Sequence, residues 1–298
     1  MEIARRAFRR MAFATLAVAL SAPAWVVPTT VEAQLSVADT RCRRALHSGA
    51  QRLYRTTLAK QASCHRLRML GKLSPLRDCS DPDRLPSSLI LDVIEDHLVR
   101  RAQNACRGFP PRLGFETCPP PCANIELDRF SDVGRCLACQ AKEEARATTA
   151  NIYGRPPVPG SNTDAVRCQN ALGSENIRYA TSLMTSHRRC QFLQDRGAIS
   201  PRIDCRREDF FRIFTRAREV LTRRIDRLCT FAQTTTLDGC KDDASQVECL
   251  LSQAQESTDL LYRQVYQADD FDPGKVVFVT SKAYTGAEIG GIDRKSVV

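Results

Sequence analysis

The chain has 298 residues, of which 43% are hydrophobic and 26% are charged, and it contains 14 Gly and 15 Pro. Disordered chains carry fewer apolar residues, so this composition excludes disorder over most of the length and predicts about two packed domains. The net charge is +10, with 37 Arg against 7 Lys, but no Lys/Arg run or row of interleaved aromatic residues marks a groove for nucleic acid.

Residues 1–33 are typical of a secretion signal. Four arginines precede an apolar run from Met11 to Leu20, and Val31-Glu32-Ala33 supplies small residues for cleavage. The apolar run is much shorter than the roughly 20 residues that span a bilayer, and no later stretch comes close. The sequence therefore predicts an exported protein without a membrane span, either secreted or held in the periplasm or at the cell surface. Arg5-Arg6 also resembles a twin-arginine signal, which leaves the export route open.

Three helices are predicted in the first unit, residues 37–153. The first runs from Val37 to Leu70, and its apolar face carries Cys42, Leu46, Leu53, Cys64 and Leu67. The second begins near Pro86, behind the polar residues 81–83, and its stripe is Leu91, Ile94, Leu98, Ala102 and Ala105. The third has Ser131 as its predicted N-cap and carries Val133, Cys136, Leu137 and Ile152.

A stiff linker, residues 154–162, is predicted next because it holds three prolines and two glycines. The second unit, residues 163–266, then predicts three helices again, the first spanning 170–194. The second helix of this unit is expected to bury Phe210, Phe211, Phe214, Ala217, Leu221 and Leu228. The third, with Ser245 as its predicted N-cap, carries Val247, Leu250, Leu261 and Val265.

The cysteines predict that these two units are copies of one pattern. Those at positions 42, 64 and 79 recur 126 residues later as Cys168, Cys190 and Cys205. Cys106 corresponds to Cys229, and Cys136 to Cys249, with small deletions between them. Three identical spacings in a row indicate an internal repeat. Because each unit has its own even set of cysteines, the two units are expected to fold separately.

All 14 cysteines are predicted to form disulfides, because thiols are oxidised outside the cytoplasm. Cys42 and Cys64 would lie about 33 Å apart on one helix, well beyond the roughly 7 Å between Cα atoms that a disulfide allows. If the second helix folds back antiparallel, the predicted pairs are Cys42–Cys106, Cys64–Cys79, Cys168–Cys229, Cys190–Cys205 and Cys240–Cys249. The other four, whose pairing order the spacing leaves open, are Cys118, Cys122, Cys136 and Cys139.

These last four cysteines also permit two other interpretations. Two close thiolate pairs could hold Zn²⁺ or an iron–sulfur cluster, and Cys136-x2-Cys139 near a helix start could be a redox dithiol. However, the second unit has Ser252 in place of Cys139 and only Cys240 in place of the Cys118 and Cys122 pair. Two cysteines are therefore missing together, which favours disulfides over a metal site.

The chain has only four histidines, and we expect all of them at the surface, since none recurs in both units: His47, His65, His97 and His187. The sequence has no nucleophile–base arrangement, no Gly-rich phosphate loop and no His-Glu-x-x-His motif. It therefore predicts no catalytic, cofactor-binding or metal-ligating residue.

The tail, residues 275–298, differs in composition from the two helical units. Lys275 to Ser281 is rich in β-branched residues and follows Asp272-Pro273-Gly274, so it predicts a strand. A lone strand is not stable, and we expect this tail to be the truncated start of a C-terminal domain. We expect its last residues, 293–298, to be the translation of a sequencing adapter, and the alternative is a genuine short basic tail.

Two resemblances extend this interpretation. The cysteine pattern of residues 37–266 resembles a group of secreted bacterial proteins made of cysteine-patterned helical repeats, which implies the fold and the location but no activity. Residues 275–292, with Ala283-Tyr284-Thr285-Gly286 and Gly290-Gly291, resemble the opening of an extracellular domain with a C-type-lectin- or endostatin-like fold.

The sequence thus predicts an all-α protein of two tandem disulfide-linked three-helix units with a short β-like tail. The leading hypothesis is an exported, non-enzymatic structural or binding module without a cofactor, presenting a C-terminal domain. One alternative is a basic exported protein that binds an anionic polymer, either polysaccharide or nucleic acid. The other is a metal-binding or thiol-redox protein that uses the four clustered cysteines. Among partners, the composition favours an extracellular polysaccharide or a cell-surface protein over nucleic acid.

Overall fold

The computed structural model describes residues 35–108, 110–154, 163–230 and 246–266. Every regular element in these ranges is helical, which confirms the all-α prediction for this part of the chain. The α-helices are α1 (Val37–Met69), α2 (Ser88–Ala105), α3 (Phe130–Tyr153), α4 (Thr163–Asp195), α5 (Ile213–Leu228) and α6 (Gln246–Tyr266). None of them combines the length and the apolar composition that crossing a bilayer requires. The predicted signal, the predicted strand-like tail and residues 155–162 of the linker lie outside the described residues.

Helix α1 is central, because α2, α3, α4 and α6 all pack against it. Its start is capped by Ser36, whose hydroxyl accepts a hydrogen bond from the Asp39 N–H at 3.1 Å. The prediction that Leu67 belongs to the buried face is wrong, since 36% of this residue is exposed. In the last turns of α1, His65 and Met69 are four residues apart and share the buried side of the helix. Leu67 lies on the opposite side.

Helix α3 does not begin at the predicted cap, Ser131, which lies inside its first turn. The N-cap position is Arg129, whose backbone N–H donates a hydrogen bond to the Asp132 carboxylate at 3.0 Å. A carboxylate three residues into a helix satisfies a free N–H at the helix start, as in a capping box. The predicted apolar residues of the helix are nevertheless buried, namely Val133, Cys136, Leu137 and Ile152. Ser245, the other predicted cap, lies outside the described residues.

Helix α5 also starts later than its apolar pattern suggests. Phe210 and Phe211 precede the helix and are 46% and 45% exposed, so their predicted place in its buried stripe is wrong. The cause is Asp209, whose carboxylate accepts hydrogen bonds from the N–H groups of Ile213 at 2.7 Å and Thr215 at 2.8 Å. These bonds satisfy the free donors of the first turn and thereby fix the start at Ile213.

Helices from the two predicted units contact each other directly, with α1 and α4 antiparallel. His47 Nε2 lies 2.9 Å from the Met184 carbonyl oxygen, and Gln51 Nε2 donates to the Thr181 carbonyl oxygen at 3.2 Å. Later residues of α1 thus meet earlier residues of α4, as antiparallel helices require. Apolar side chains from both ranges, 37–153 and 163–266, belong to one core.

Two glycines allow helices to approach closely. A Cβ atom at Gly134 of α3 would lie 2.9 Å from the Val99 Cα atom of α2, and backbone cannot yield as a flexible side chain can. In α4, a Cβ atom at Gly173 would overlap the hydroxyl of Tyr153, which comes from α3. The second approach places a buried tyrosine of the first unit against the first helix of the second.

Candidate functional site

The disulfides are the best-defined chemical feature of the described residues. Their Cα–Cα distances run from 4.6 to 6.1 Å, in the range usual for disulfides. The pairs are Cys42–Cys106, Cys64–Cys79, Cys118–Cys136, Cys122–Cys139, Cys168–Cys229 and Cys190–Cys205. Four of these are the pairs expected for two helices that fold back on each other. Cys249 is also disulfide-bonded, and its predicted partner, Cys240, lies outside the described residues.

The four clustered cysteines fasten a loop to the start of α3. Cys118 and Cys122, on the loop, are bonded to Cys136 and Cys139, on the helix, an order that the spacing alone leaves open. Gln140 adds a polar tie, since its Nε2 donates to the Pro119 carbonyl oxygen at 2.6 Å. Each of the four sulfurs is bonded to another sulfur, so none is a thiolate that could hold a metal ion or attack a substrate.

Three of the four histidines are buried, so the expectation that all lie at the surface is wrong. His47 and His65 are 1% exposed and His187 is fully buried, whereas His97 is exposed as expected. The reason is that α1 and α4 are each covered by neighbouring helices on more than one side. Burial lowers the pKa of His47 and of His65 to about 3, since the charged form loses its hydration.

The buried group around His187 is the nearest approach to an acid–base site. His187 Nε2 lies 3.8 Å from Asp259 Oδ1, and its ring meets that of Tyr262 edge-on with centroids 5.4 Å apart. Burial lowers the pKa of His187 to about 4 and raises the pKa of Asp259 to about 6. Near neutral pH the imidazole is therefore uncharged, and the carboxylate is mostly ionised.

The position of His187 argues against catalysis by this group. Its side chain has no exposed surface, so a substrate would have to displace the covering helix to reach it. The adjacent hydroxyl, Ser186, lies 3.3 Å from Asp209 and donates to that carboxylate rather than to the imidazole. No nucleophile–base pair results, and the group acts as a polar part of the core.

One surface depression, of about 450 Å³, lies next to the loop that follows α1. Two of its three arginines already have partners: Arg146 Nη2 lies 3.1 Å from Asp81 Oδ1, and Arg68 Nη1 donates to the Arg77 carbonyl oxygen at 2.6 Å. The third, Arg77, is exposed. Cations that are already paired have little left to offer a ligand. We regard these contacts as ties that hold the loop.

A second depression, of about 430 Å³, lies between the start of α1 and the end of α2 and has a different character. We call it the basic depression, and it is lined by Arg41, His97, Arg100, Arg101, Asn104 and Ala105. No acidic side chain lines it. Sequence reasoning missed it because its arginines are split between two helices and form no basic run. The signal that could have found it is the helical spacing of His97, Arg100 and Arg101.

Comparison of the chain with protein-family models, with curated proteins and with solved structures gives no match.

Proposed function

We propose that this protein is an exported, non-enzymatic structural module that holds and spaces other segments of its chain outside the cytoplasm. The observation that carries the proposal is the disulfide framework: bonded cysteine pairs tie helix to helix and loop to helix throughout the described part of the chain. Disulfides persist in oxidising compartments, so this framework fits the secretion signal expected in residues 1–33.

The shared core supports a rigid module rather than a flexible pair of domains. Gln51 of α1 donates to Thr185 Oγ1 of α4 at 3.0 Å, and the hydroxyls of Thr148 in α3 and Ser257 in α6 lie 3.3 Å apart. Hydrogen bonds between buried side chains fix the relative position of the helices that carry them. A module of this kind keeps a constant distance between its two ends, as a spacer must.

Matching contacts support the proposal that the module consists of two copies of one unit. The helices α1 and α4 each contain 33 residues, and the disulfides that follow them close loops with the same separation of 15 residues. In the first unit Asp81 and Arg146 form an ion pair at 3.1 Å. Arg207 and Asp259 occupy the matching positions of the second unit, so the positive charge there lies on the loop and the negative charge on the helix, and Arg207 Nε lies 3.6 Å from Asp204 Oδ2.

The test is to produce the whole chain with its signal in an exporting host and to fractionate the cells. We expect the protein outside the cytoplasm, without reactive thiol before reduction and without turnover in an insulin-reduction assay. Retention in the cytoplasm with free thiols would contradict export. Stoichiometric zinc in elemental analysis, or thiol-redox turnover, would contradict the structural proposal and favour a chemical role for the four clustered cysteines.

A further inference from the structure

The basic depression has the properties of a binding site for anions, which goes beyond a structural role. Arg41 comes from α1, and Arg100 and Arg101 come from the last turns of α2, near the Cys42–Cys106 disulfide that ties the two helices. All three arginines are exposed, and none forms a hydrogen bond or an ion pair with any part of the chain that the structure describes. Three cations held close together without a counter-charge repel one another, and a bound anion relieves that repulsion.

The second unit offers an internal comparison. The arginines there that match Arg41, Arg100 and Arg101 are Arg167, Arg223 and Arg224. Two of them have carboxylate partners: Arg224 Nη1 lies 3.0 Å from Glu175 Oε1, and Arg167 Nη1 lies 3.7 Å from Asp164 Oδ1. Arg223 Nε donates to the Glu219 carbonyl oxygen at 3.2 Å. The positions that match these two acids in the first unit hold a glycine and an alanine, positions 49 and 38. The first unit thus keeps the arginines but lacks the acids.

The residues that line the depression indicate which class of ligand it can bind. Guanidinium groups match the paired oxygens of carboxylate, sulfate and phosphate groups. Asn104 adds an amide that both donates and accepts hydrogen bonds, as sugar hydroxyls require. No Phe, Tyr or Trp is present among the lining residues for a nucleic-acid base to stack on, and the imidazole of His97 is the only ring among them. Apart from Ala105 and the arginine stems, nothing in the lining would receive an acyl chain.

We propose that the basic depression binds the carboxylate or sulfate groups of an acidic polysaccharide. The depression is lined by residues of both α1 and α2, so a polymer segment can lie across it with successive charges on Arg41 and on the Arg100–Arg101 pair. A single small anion would engage only part of the lining.

The test measures binding of the full chain to polygalacturonate and to dextran sulfate, with neutral dextran as the reference. A triple variant, Arg41→Gln, Arg100→Gln and Arg101→Gln, should bind the acidic polymers at least about tenfold more weakly, because it removes three charged contacts. Its affinity should also depend less steeply on salt concentration.

The matched control removes three arginines from the exposed side of α1, away from the depression: Arg52→Gln, Arg55→Gln and Arg66→Gln. It has the same net charge as the triple variant and should bind within about threefold of the unsubstituted protein. An equal loss in both variants would overturn the proposal, since diffuse charge would then explain binding. Stronger binding to single-stranded DNA or to phosphatidylglycerol vesicles than to either polysaccharide would also overturn it. Circular dichroism confirms that each variant is folded before binding is measured.

Discussion

Lowering the pH from about 7.5 to about 5 should destabilise this protein, because three neutral histidines lie in its core. Burial lowers the pKa of His47 and His65 to about 3 and that of His187 to about 4. In the unfolded chain the same imidazoles titrate near their ordinary pKa of about 6.5. Between these values the unfolded state binds protons that the native state does not, so stability is complete above about pH 6.5 and falls as the pH drops.

The free energy of unfolding that is lost on acidification follows from the size of the histidine pKa shifts. At about pH 5 an unfolded histidine is almost fully protonated, and each histidine that stays neutral in the native state costs about 2 kcal/mol. Three of them together cost about 6 kcal/mol. Asp259 opposes this loss by about 1 kcal/mol, since burial raises the pKa of its carboxyl to about 6 and the native state takes up a proton there. These four groups together give a loss of about 5 kcal/mol, which is comparable to the whole stability of many domains.

His65 allows a single-residue test of this reasoning. Its ring stacks on that of Tyr153 with centroids 4.2 Å apart, and its Nε2 lies 3.4 Å from Ser80 Oγ. The variant His65→Gln introduces the residue type that the second unit has at the matching position, Gln191. We expect the variant to lose about 2 kcal/mol less than the unsubstituted protein over the same change in pH.

The assay is guanidinium chloride unfolding followed by circular dichroism, with the disulfides intact, at both pH values. The variant lacks the ring contact with Tyr153, so it is less stable at either pH for a reason unrelated to protonation. The quantity to compare is therefore the change in the free energy of unfolding between the two pH values. His97→Gln is the control, because His97 is exposed and its replacement should leave the difference unchanged. Identical pH dependence in His65→Gln and the unsubstituted protein would refute the assignment of the acid sensitivity to buried imidazoles.

Three further predictions concern the disulfides, the buried acid and the interface. Replacing Cys64 and Cys79 by serine should lower the free energy of unfolding by about 3 kcal/mol, as expected for a 15-residue loop, and a loss below about 1 kcal/mol would contradict this. Asp259→Asn should raise thermal stability above about pH 6 by the equivalent of about 2 kcal/mol and have no such effect below about pH 3, where the carboxyl is protonated in both states. Residues 163–266 alone should form dimers in analytical ultracentrifugation, because the face of α4 that packs on α1 would be uncovered; a monomer at micromolar concentration would contradict this.

The sequence predicted most of the helices because their signals are local. Apolar residues at intervals of three and four placed α1 at Val37–Leu70, one residue longer than it is. The pairs Cys42–Cys106 and Cys64–Cys79 followed from the rise of a helix, which keeps Cys42 far from Cys64. The predicted first helix of the second unit, 170–194, starts seven residues later than α4 does, because residues 163–169 have a weaker apolar pattern.

What the sequence missed depends on contacts between distant parts of the chain. A histidine in an amphipathic helix is exposed or buried according to whether other helices cover its side, and His47 is covered by α4 and by Tyr266 of α6. The order of bridges between Cys118, Cys122, Cys136 and Cys139 depends on the path of the loop, which spacing does not fix. These are properties of tertiary packing, which overrides local pattern.

The proposed duplication makes the internal contacts of the two units comparable position by position. Between the first and third helices, Thr149 Oγ1 donates to Gln61 Oε1 at 2.8 Å in the first unit. The matching positions in the second unit hold Tyr262 and His187, whose rings meet edge-on. The first and third helices therefore touch at the same positions in both units, although both contacting residues differ. Changing one partner alone would leave a buried polar group without a hydrogen bond, at a cost of about 1–3 kcal/mol, so buried pairs are expected to differ together.

The same reasoning sets the basic depression apart from the ion pairs around it. The positions of Asp81 and Arg146, which form an ion pair in the first unit, hold Arg207 and Asp259 in the second, so both members differ there, and Arg207 Nε instead lies 3.6 Å from Asp204 Oδ2. In the basic depression only one member differs: the arginines are present in both units, and the carboxylates are present only in the second. A cluster of cations that lacks its internal partners gains more from an external anion than a cluster that has them. The first unit, rather than the second, is therefore where binding of an acidic polymer should be sought.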